Sequence, residues 1–357
     1  MRFIRSNRFD LSNTTNKKQP YYLIYNFLES KAQKKLNKIH LHTLIATYLN
    51  RRNFLQTTTT ATTAMLLASL DTFASSHKPN FSMNKNFELK ALATNWGFNG
   101  TIDEYCTKVK EDGYDGIEIW WPTEKKDQDA LFAALKKNNL EVGFLTAGHE
   151  SKYEDHFKTF TNMIDAAAQN TVQKPLYINC HSGRDYFSYE QNKTFIDHTV
   201  ALAKETGIKI CHETHRSRML FAAPVARHYL DTVPELRVTF DVSHWCNVSE
   251  TLLQDQQETV DLTLQRVDHI HARIGHPEGP QVNDPRAPEW DDAMKAHFAW
   301  WDKVVELKKQ QNDRLTILTE FGPPTYMPTL PYTQQPLADQ WAINVHMKDL
   351  IRKRYTL

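Results

Sequence analysis

Four short stretches of the chain carry the residue types that acid–base and metal chemistry require: His212-Glu213-Thr214-His215, Asp241-Val242-Ser243-His244, His269-Ile270-His271-Ala272-Arg273 and Thr319-Glu320-Phe321. Each follows an apolar, β-rich run and delivers a carboxylate or an imidazole at its end. Three carboxylates brought together, Glu213, Asp241 and Glu320, repel one another, and each is driven toward protonation. A divalent cation resolves that conflict. Three oxygen ligands with the imidazole of His271 suit Mn²⁺ best, with Mg²⁺, Co²⁺ or Zn²⁺ as the other options, and leave positions for water or substrate. Any one of these residues is explained equally well as the polar cap of its own strand. Four of them on successive strands are not.

Such a constellation needs a frame that aims several strand ends at one place. Strand-like runs occur at 88–94, 115–120, 140–146, 175–180, 208–213, 236–241, 267–272 and 315–320. Helical patterns separate them at 101–112, 127–138, 153–169, 190–206, 219–231, 250–265 and 292–311, and a last one covers 335–352. The apolar spacing of Phe195, Val200, Leu202 and Ala203 is an example. Eight strands alternating with eight helices predict an α/β fold of (β/α)₈ TIM-barrel type, with the four stretches on its C-terminal face. A doubly wound sheet is the alternative. It calls for a glycine-rich phosphate turn after the first strand, which the segment from Asn95 to Gly100 lacks. The long loop from Arg273 to Asp291 contains four prolines and is placed to cover the site.

The combination of Glu213, Asp241 with His244 three residues on, His271 followed by Arg273, and Glu320-Phe321 resembles the xylose-isomerase-like TIM-barrel superfamily. That group includes sugar epimerases of the tagatose 3-epimerase kind, hydroxypyruvate isomerases, inosose dehydratases and endonuclease IV. The resemblance covers 88–353. It implies metal binding by Glu213, Asp241, His271 and Glu320. Glu213 and Glu320 double as the acid–base pair, and His244 and Arg273 hold substrate oxygens. The implied activity is metal-dependent isomerisation or epimerisation of a sugar or keto-sugar through an enediolate. Dehydration of a keto-sugar or inosose begins with the same proton abstraction and remains open. So do a sugar-binding barrel without chemistry and an endonuclease IV-like zinc nuclease. The nuclease reading finds histidines at His149, His181 and His244 but a broken late motif, Asp284-Pro285-Arg286.

Further candidates for substrate contact are His181 after the fourth strand, His215 and Trp120. Strand alternation favours His215 over His212. Trp120 and Trp121 serve a pocket wall or the core equally well. His149 has even standing as ligand or bystander, and Glu118 inside the second strand faces either the barrel or a helix. Trp300 and Trp301 read as core or interface.

The 43 basic and 42 acidic residues leave a net charge of +1, so nothing in the balance calls for nucleic acid. A small-molecule sugar is the expected partner, with no stable membrane association after processing; a homo-oligomer is left open. Basic residues beyond Arg216, Arg218, Arg273 and Arg286 form no evident cluster, which favours a neutral sugar over a phosphorylated one. The four cysteines, Cys106, Cys180, Cys211 and Cys246, show no CxxC spacing, and three of them fall in or beside strands, where free thiols pack as small hydrophobes.

The beginning of the chain reads differently. Arg51 and Arg52 precede a modestly apolar run over 57–70 and small residues at Ala74 and Ser75, the parts of a twin-arginine export signal. The expected organisation is an extension at 1–48 foreign to the signal, a signal peptide at 49–74, a linker at 75–86 and the barrel at 87–357, with a periplasmic destination. Synthesis beginning near Leu49 would place that signal at a terminus.

Overall fold

The structure, a computed structural model, describes residues 87–356; the export signal and linker expected before them lie outside the described residues. From Glu88 onward strand and helix alternate. β1 (Glu88–Thr94) leads to α1 (Ile102–Glu111), β2 (Gly116–Trp120) to α2 (Lys125–Asn138), β3 (Glu141–Ala147) to α3 (Tyr153–Ala168), and β4 (Tyr177–His181) to α4 (Tyr189–Thr206). β5 (Lys209–Glu213) leads to α5 (Ala223–Thr232), and β6 (Val238–Phe240) to two short helices, α6 (Val242–Ser249) and α7 (Gln257–Leu264). β7 (Val267–His271), α8 (Asp291–Gln311), β8 (Arg314–Thr319) and α9 (Gln340–Tyr355) complete the series. The strands are parallel and pair in sequence order, and β8 closes on β1 by pairing Arg314 through Thr319 with Glu88 through Ala93. The fold is the (β/α)₈ barrel that the alternation predicts.

Local chemistry sets the helix limits. Thr101 with Glu104 and Ser188 with Gln191 form reciprocal capping boxes that start α1 and α4. Asn139, Gly207 and Asn312 adopt the left-handed conformation that stops α2, α4 and α8. The larger part of the core lies between the barrel and its helices, where Ile117, Val142, Phe144 and Ile178 join Val109, Leu135, Phe160 and Phe195. Inside the barrel the apolar set is small: Leu92, Leu176, Tyr177 and Leu318. A side chain at position 143 would come within 2.4 Å of the Tyr177 ring, so Gly143 is what admits that ring to the interior. All four cysteines are free and buried. Burial pushes the thiols of Cys106, Cys180 and Cys246 up to about 12, and that of Cys211 well above its ordinary value.

Three elements differ from the sequence reading. The sixth strand stops at Phe240, and Asp241 is instead the N-cap of α6, accepting from Ser243 N at 3.1 Å. Cys246 therefore sits on α6, a helix the sequence reading did not give, and the helix expected over 250–265 is the shorter α7. The last helix begins only at Gln340, capped by Asp339, because Pro336 and the turns before it cannot continue a helix. Trp300 and Trp301 are buried in α8. Among the described residues no helix is long and apolar enough to cross a membrane.

Candidate metal centre

Strand ends β5 to β8 bring the four residues singled out by their spacing to one place. Glu213 is the last residue of β5 and His271 the last of β7; Asp241 follows β6 and Glu320 follows β8. Ligand atoms of Glu213, Asp241 and His271 lie within 4.8 Å of one another. Glu320 joins through His271, whose Nδ1 is 2.8 Å from Glu320 Oε2 and 3.6 Å from Glu213 Oε2. Neither His271 Nδ1 nor Glu320 Oε2 completes a hydrogen bond, so two buried polar atoms face each other without satisfaction.

Each carboxylate has a different support. Glu213 Oε2 accepts from Asn179 Nδ2 at 2.7 Å and meets His181 Nε2 at 2.6 Å. Burial works against its charge, but the imidazoles of His181 and His271 outweigh burial and hold the carboxyl well below the usual range. Asp241 Oδ1 accepts from Ser243, and its Oδ2 takes the Arg273 guanidinium. Burial, opposed by Arg273 but reinforced by Glu320 and Glu213, pushes Asp241 up to about 6. Of these two carboxylates, Asp241 alone shows the resistance to ionisation that the sequence argument anticipated.

Below this layer lies a carboxylate whose direction the sequence left undecided. Glu118 points into the barrel and is fully buried. Its Oε1 is 3.1 Å from His271 Nε2, its Oε2 is 3.2 Å from His269 Nε2, and its Oε2 accepts from Tyr177 OH at 2.7 Å. The rings of Tyr177 and His269 stack at 3.8 Å. His271 is therefore held between Glu118 on one nitrogen and Glu213 and Glu320 on the other. Burial disfavours its charge, yet Glu320, Glu213 and Glu118 together keep its pKa well above the ordinary value.

The remaining candidates divide. His244 lies in the first turn of α6, fully buried, with Nε2 3.1 Å from Arg273 Nη2 and Nδ1 without a partner. His215 packs on it at 4.0 Å between centroids and reaches toward His181 at 4.9 Å. Burial, then His181, pushes His215 down to about 3, so it is a neutral ring. His212 points away from the site, bonding Ser182 and Thr199. Trp120 is 38% exposed and sets its edge 5.3 Å from His181 and 6.0 Å from His149; Trp121 instead packs on Phe144 in the core. Arg273, 1% exposed, contacts Asp241, lies 3.4 Å from Glu320 Oε2 and stacks on Tyr326 at 4.8 Å. The long loop after β7 borders the site, since Gln281 clasps the backbone of Gly322 just past Glu320.

Sequence reasoning missed Asn179 and Tyr326. Asn179 stands two residues before His181 on β4, so strand alternation puts both on one face, a signal that was available. Tyr326 comes from the loop after β8, whose path no periodicity announces.

The donor set suits a hard or borderline divalent ion: carboxylates from three strand ends, one imidazole nitrogen, and two orphaned buried atoms at the point of convergence. A closed parallel barrel with this ring of donors at its C-terminal mouth is the class the geometry defines. The chain belongs to the xylose isomerase-like TIM barrel family, whose model matches residues 106–292. No functionally curated protein matches its sequence. Similar solved structures include a 3-keto-D-glucoside 4-epimerase from E. coli, 15% identical over 74% of this chain and 99% of that one with a TM-score of 0.48. Others are the IOLI protein with a bound zinc atom (16%, 75% and 100%, TM-score 0.49) and a family 2 AP endonuclease from Brucella melitensis (16%, 66% and 93%, TM-score 0.47). Likeness at this level does not specify a reaction.

Proposed function

We propose that this barrel is a metal-dependent isomerase or epimerase of a sugar or keto-sugar. The observation that supports it best is the convergence of Glu213, Asp241 and His271 within 4.8 Å, with the unpartnered Glu320 Oε2 beside them. Glu213, Asp241, His271 and Glu320 would hold the cation, Mn²⁺ being the best match to the ligands. When bound, such an ion polarises a substrate carbonyl and offsets the charge that gathers on its oxygen.

The protein's own groups then divide the proton transfer. Glu213, fixed by Asn179 and His181, is ionised and oriented. Glu320 Oε2 lies within ion-pair distance of His271 and Arg273 but completes no hydrogen bond with either, which suits the group that takes the proton next to the carbonyl. Return of the proton from Glu320 to the neighbouring carbon isomerises; return to the same carbon from the other face epimerises, and for that Glu213 must first take a proton from a substrate hydroxyl or from solvent before it can give one. Arg273 positions Asp241 and Glu320. His244, His215, His181 and Trp120 wall the space in which substrate hydroxyls would lie, the neutral rings of His244 and His215 offering both donors and acceptors.

The test is to incubate purified protein with ketoses in D₂O while assaying bound metal. The expected result is about one divalent ion per chain, activity lost on chelation and restored by Mn²⁺, and deuterium at the carbon beside the carbonyl. Exchange accompanied by loss of water would turn the reading to dehydration. Three zinc ions per chain and no exchange would turn it to the nuclease.

Glu118 gives a second expectation. A carboxylate on the far nitrogen of a ligating imidazole fixes the ring and its tautomer, and losing one typically weakens metal binding by about 10–100-fold. Glu118→Leu should weaken Mn²⁺ binding by that order in a calorimetric titration, and Glu118→Gln, which keeps an acceptor, by less. Equal affinity in all three proteins would remove Glu118 from the design of the site.

A further inference from the structure

Two arginines in the loops after β4 and β5 have no carboxylate paired with them among the described residues. Arg218, in the loop after β5, is only 8% exposed. Its Nη1 donates to the Gly148 carbonyl at 3.2 Å, and its Nε is buried without a partner. Arg184, in the loop after β4, donates from Nη2 to the next carbonyl, that of His149, at 2.9 Å, and its Nε is likewise buried and unpartnered. One dipeptide of the loop after β3 therefore gathers both guanidinium groups. Among the described residues neither has a carboxylate within ion-pair distance. Arg237 and Arg273, by contrast, each hold a carboxylate, Asp268 at 2.7 Å and Asp241. Burial, then the neighbouring Arg184, pushes Arg218 down to about 10, which agrees with two like charges held close in a partly dry place.

The pair stands beside the metal centre. His181 links Glu213 to the edge of Trp120, Trp120 lies 6.0 Å from His149, and the His149 carbonyl holds Arg184. Glu213 and Asp185 are near enough to act on Arg218 electrostatically but neither pairs with it, and the indole of Trp120, 38% exposed, stands beside both His181 and His149. A neutral sugar leaves the arginine end unpaired. A planar fork of donors is the usual receptor for a carboxylate or phosphate.

We infer that Arg184 and Arg218 form an anion subsite, and that the substrate is an acidic sugar or sugar derivative whose carboxylate or phosphate binds there while its carbonyl end meets Glu213 and Glu320. The inference rests on the proposed reaction for the second half of that statement only. It replaces the neutral sugar expected from composition, because the fold adds Arg184 to Arg218 where the sequence leaves them far apart.

The experiment is calorimetric titration of the full-length, chelator-treated protein with inorganic phosphate, D-gluconate and the uncharged D-glucitol. Removing metal first keeps the anion from binding the ion instead. The expected result is saturable binding of phosphate or gluconate, weakened on the order of tenfold or more in Arg218→Gln and in Arg184→Gln, since each loses a charge-assisted bond. The tighter of the two anions identifies the group. Arg218 also ties down the loop at Gly148, so its variant could misfold; Arg184 is more exposed, and Arg184→Gln with an unchanged circular dichroism spectrum keeps the test decisive. Unchanged anion affinity in Arg184→Gln, or no preference for the anions over glucitol in the parent protein, overturns the subsite. Deuterium exchange into a ketose is scored separately, so loss of the reaction and loss of the subsite give different patterns.

Discussion

Glu320→Gln is expected to lower turnover by about 10²–10⁴-fold while the protein keeps its metal, the usual contribution of one positioned acid–base group. The amide retains the shape of the carboxylate and one oxygen that can ligate, but it cannot accept the proton. Glu320 is the right place for this test because its Oε2 meets His271 and Arg273 at ion-pair distance without completing a hydrogen bond to either. The substitution removes a charge beside His271 and Arg273, so metal content and an unchanged circular dichroism spectrum are what separate a loss of chemistry from collapse. Arg273 remains balanced by Asp241. The measurements are steady-state turnover of ketose epimerisation and metal content on the same preparation. A variant with full metal and parental turnover would falsify the role assigned to Glu320.

The largest expected effect on stability lies at the opposite end of the barrel. Asp268, at the start of β7, is 6% exposed and accepts from Arg237 at 2.7 and 2.9 Å. It also pairs with Lys308 of α8 and lies 3.6 Å from Lys209 of β5. Burial alone would raise its pKa, but Arg237, Lys308 and Lys209 hold it well below the usual range. Removing one partner of a buried ion pair typically costs about 3–5 kcal/mol, because the other charges stay behind. Asp268→Asn should therefore lower the melting temperature by roughly 10 °C at pH 7, with turnover at room temperature unchanged. The pH dependence has a definite sign. A carboxyl depressed by folding stabilises fully above its unfolded pKa of about 3.9 and loses that contribution as pH falls. The gap between the two proteins should accordingly stay constant from pH 6 down to about pH 4 and narrow below it. A gap that does not narrow there would mean that the cost is one of packing, not of charge.

How far the sequence carried these conclusions depends on the kind of information each needed. The eight strands were legible because alternation and apolar runs are local, and four ionisable strand ends followed from them. Asp241 was placed one element too early. The Asp-Val-Ser start of α6 is an N-cap signature, but the apolar run ending at Phe240 made Asp241 read as the last residue of the strand. The direction of Glu118 was open to inference: Ile117 and Ile119 flank it, and two apolar neighbours on one face leave Glu118 for the other. The meeting of Arg184 with Arg218 was beyond reach, since it depends on three loops whose courses obey no period. The same holds for Tyr326, which stacks between Arg216 at 5.0 Å and Arg273 at 4.8 Å.

The burial of the four cysteines has a kinetic consequence. Only the thiolate attacks a disulfide or an oxidant, and thiols held at about 12 are ionised in roughly one molecule in 10⁵ at neutral pH. Once folded, the barrel is thus indifferent to the redox potential around it. Before folding the same four groups are ordinary, reactive and free to cross-link wrongly. For this chain the order of events, closure of the barrel first and exposure to an oxidant second, decides whether its thiols are inert filling or a hazard.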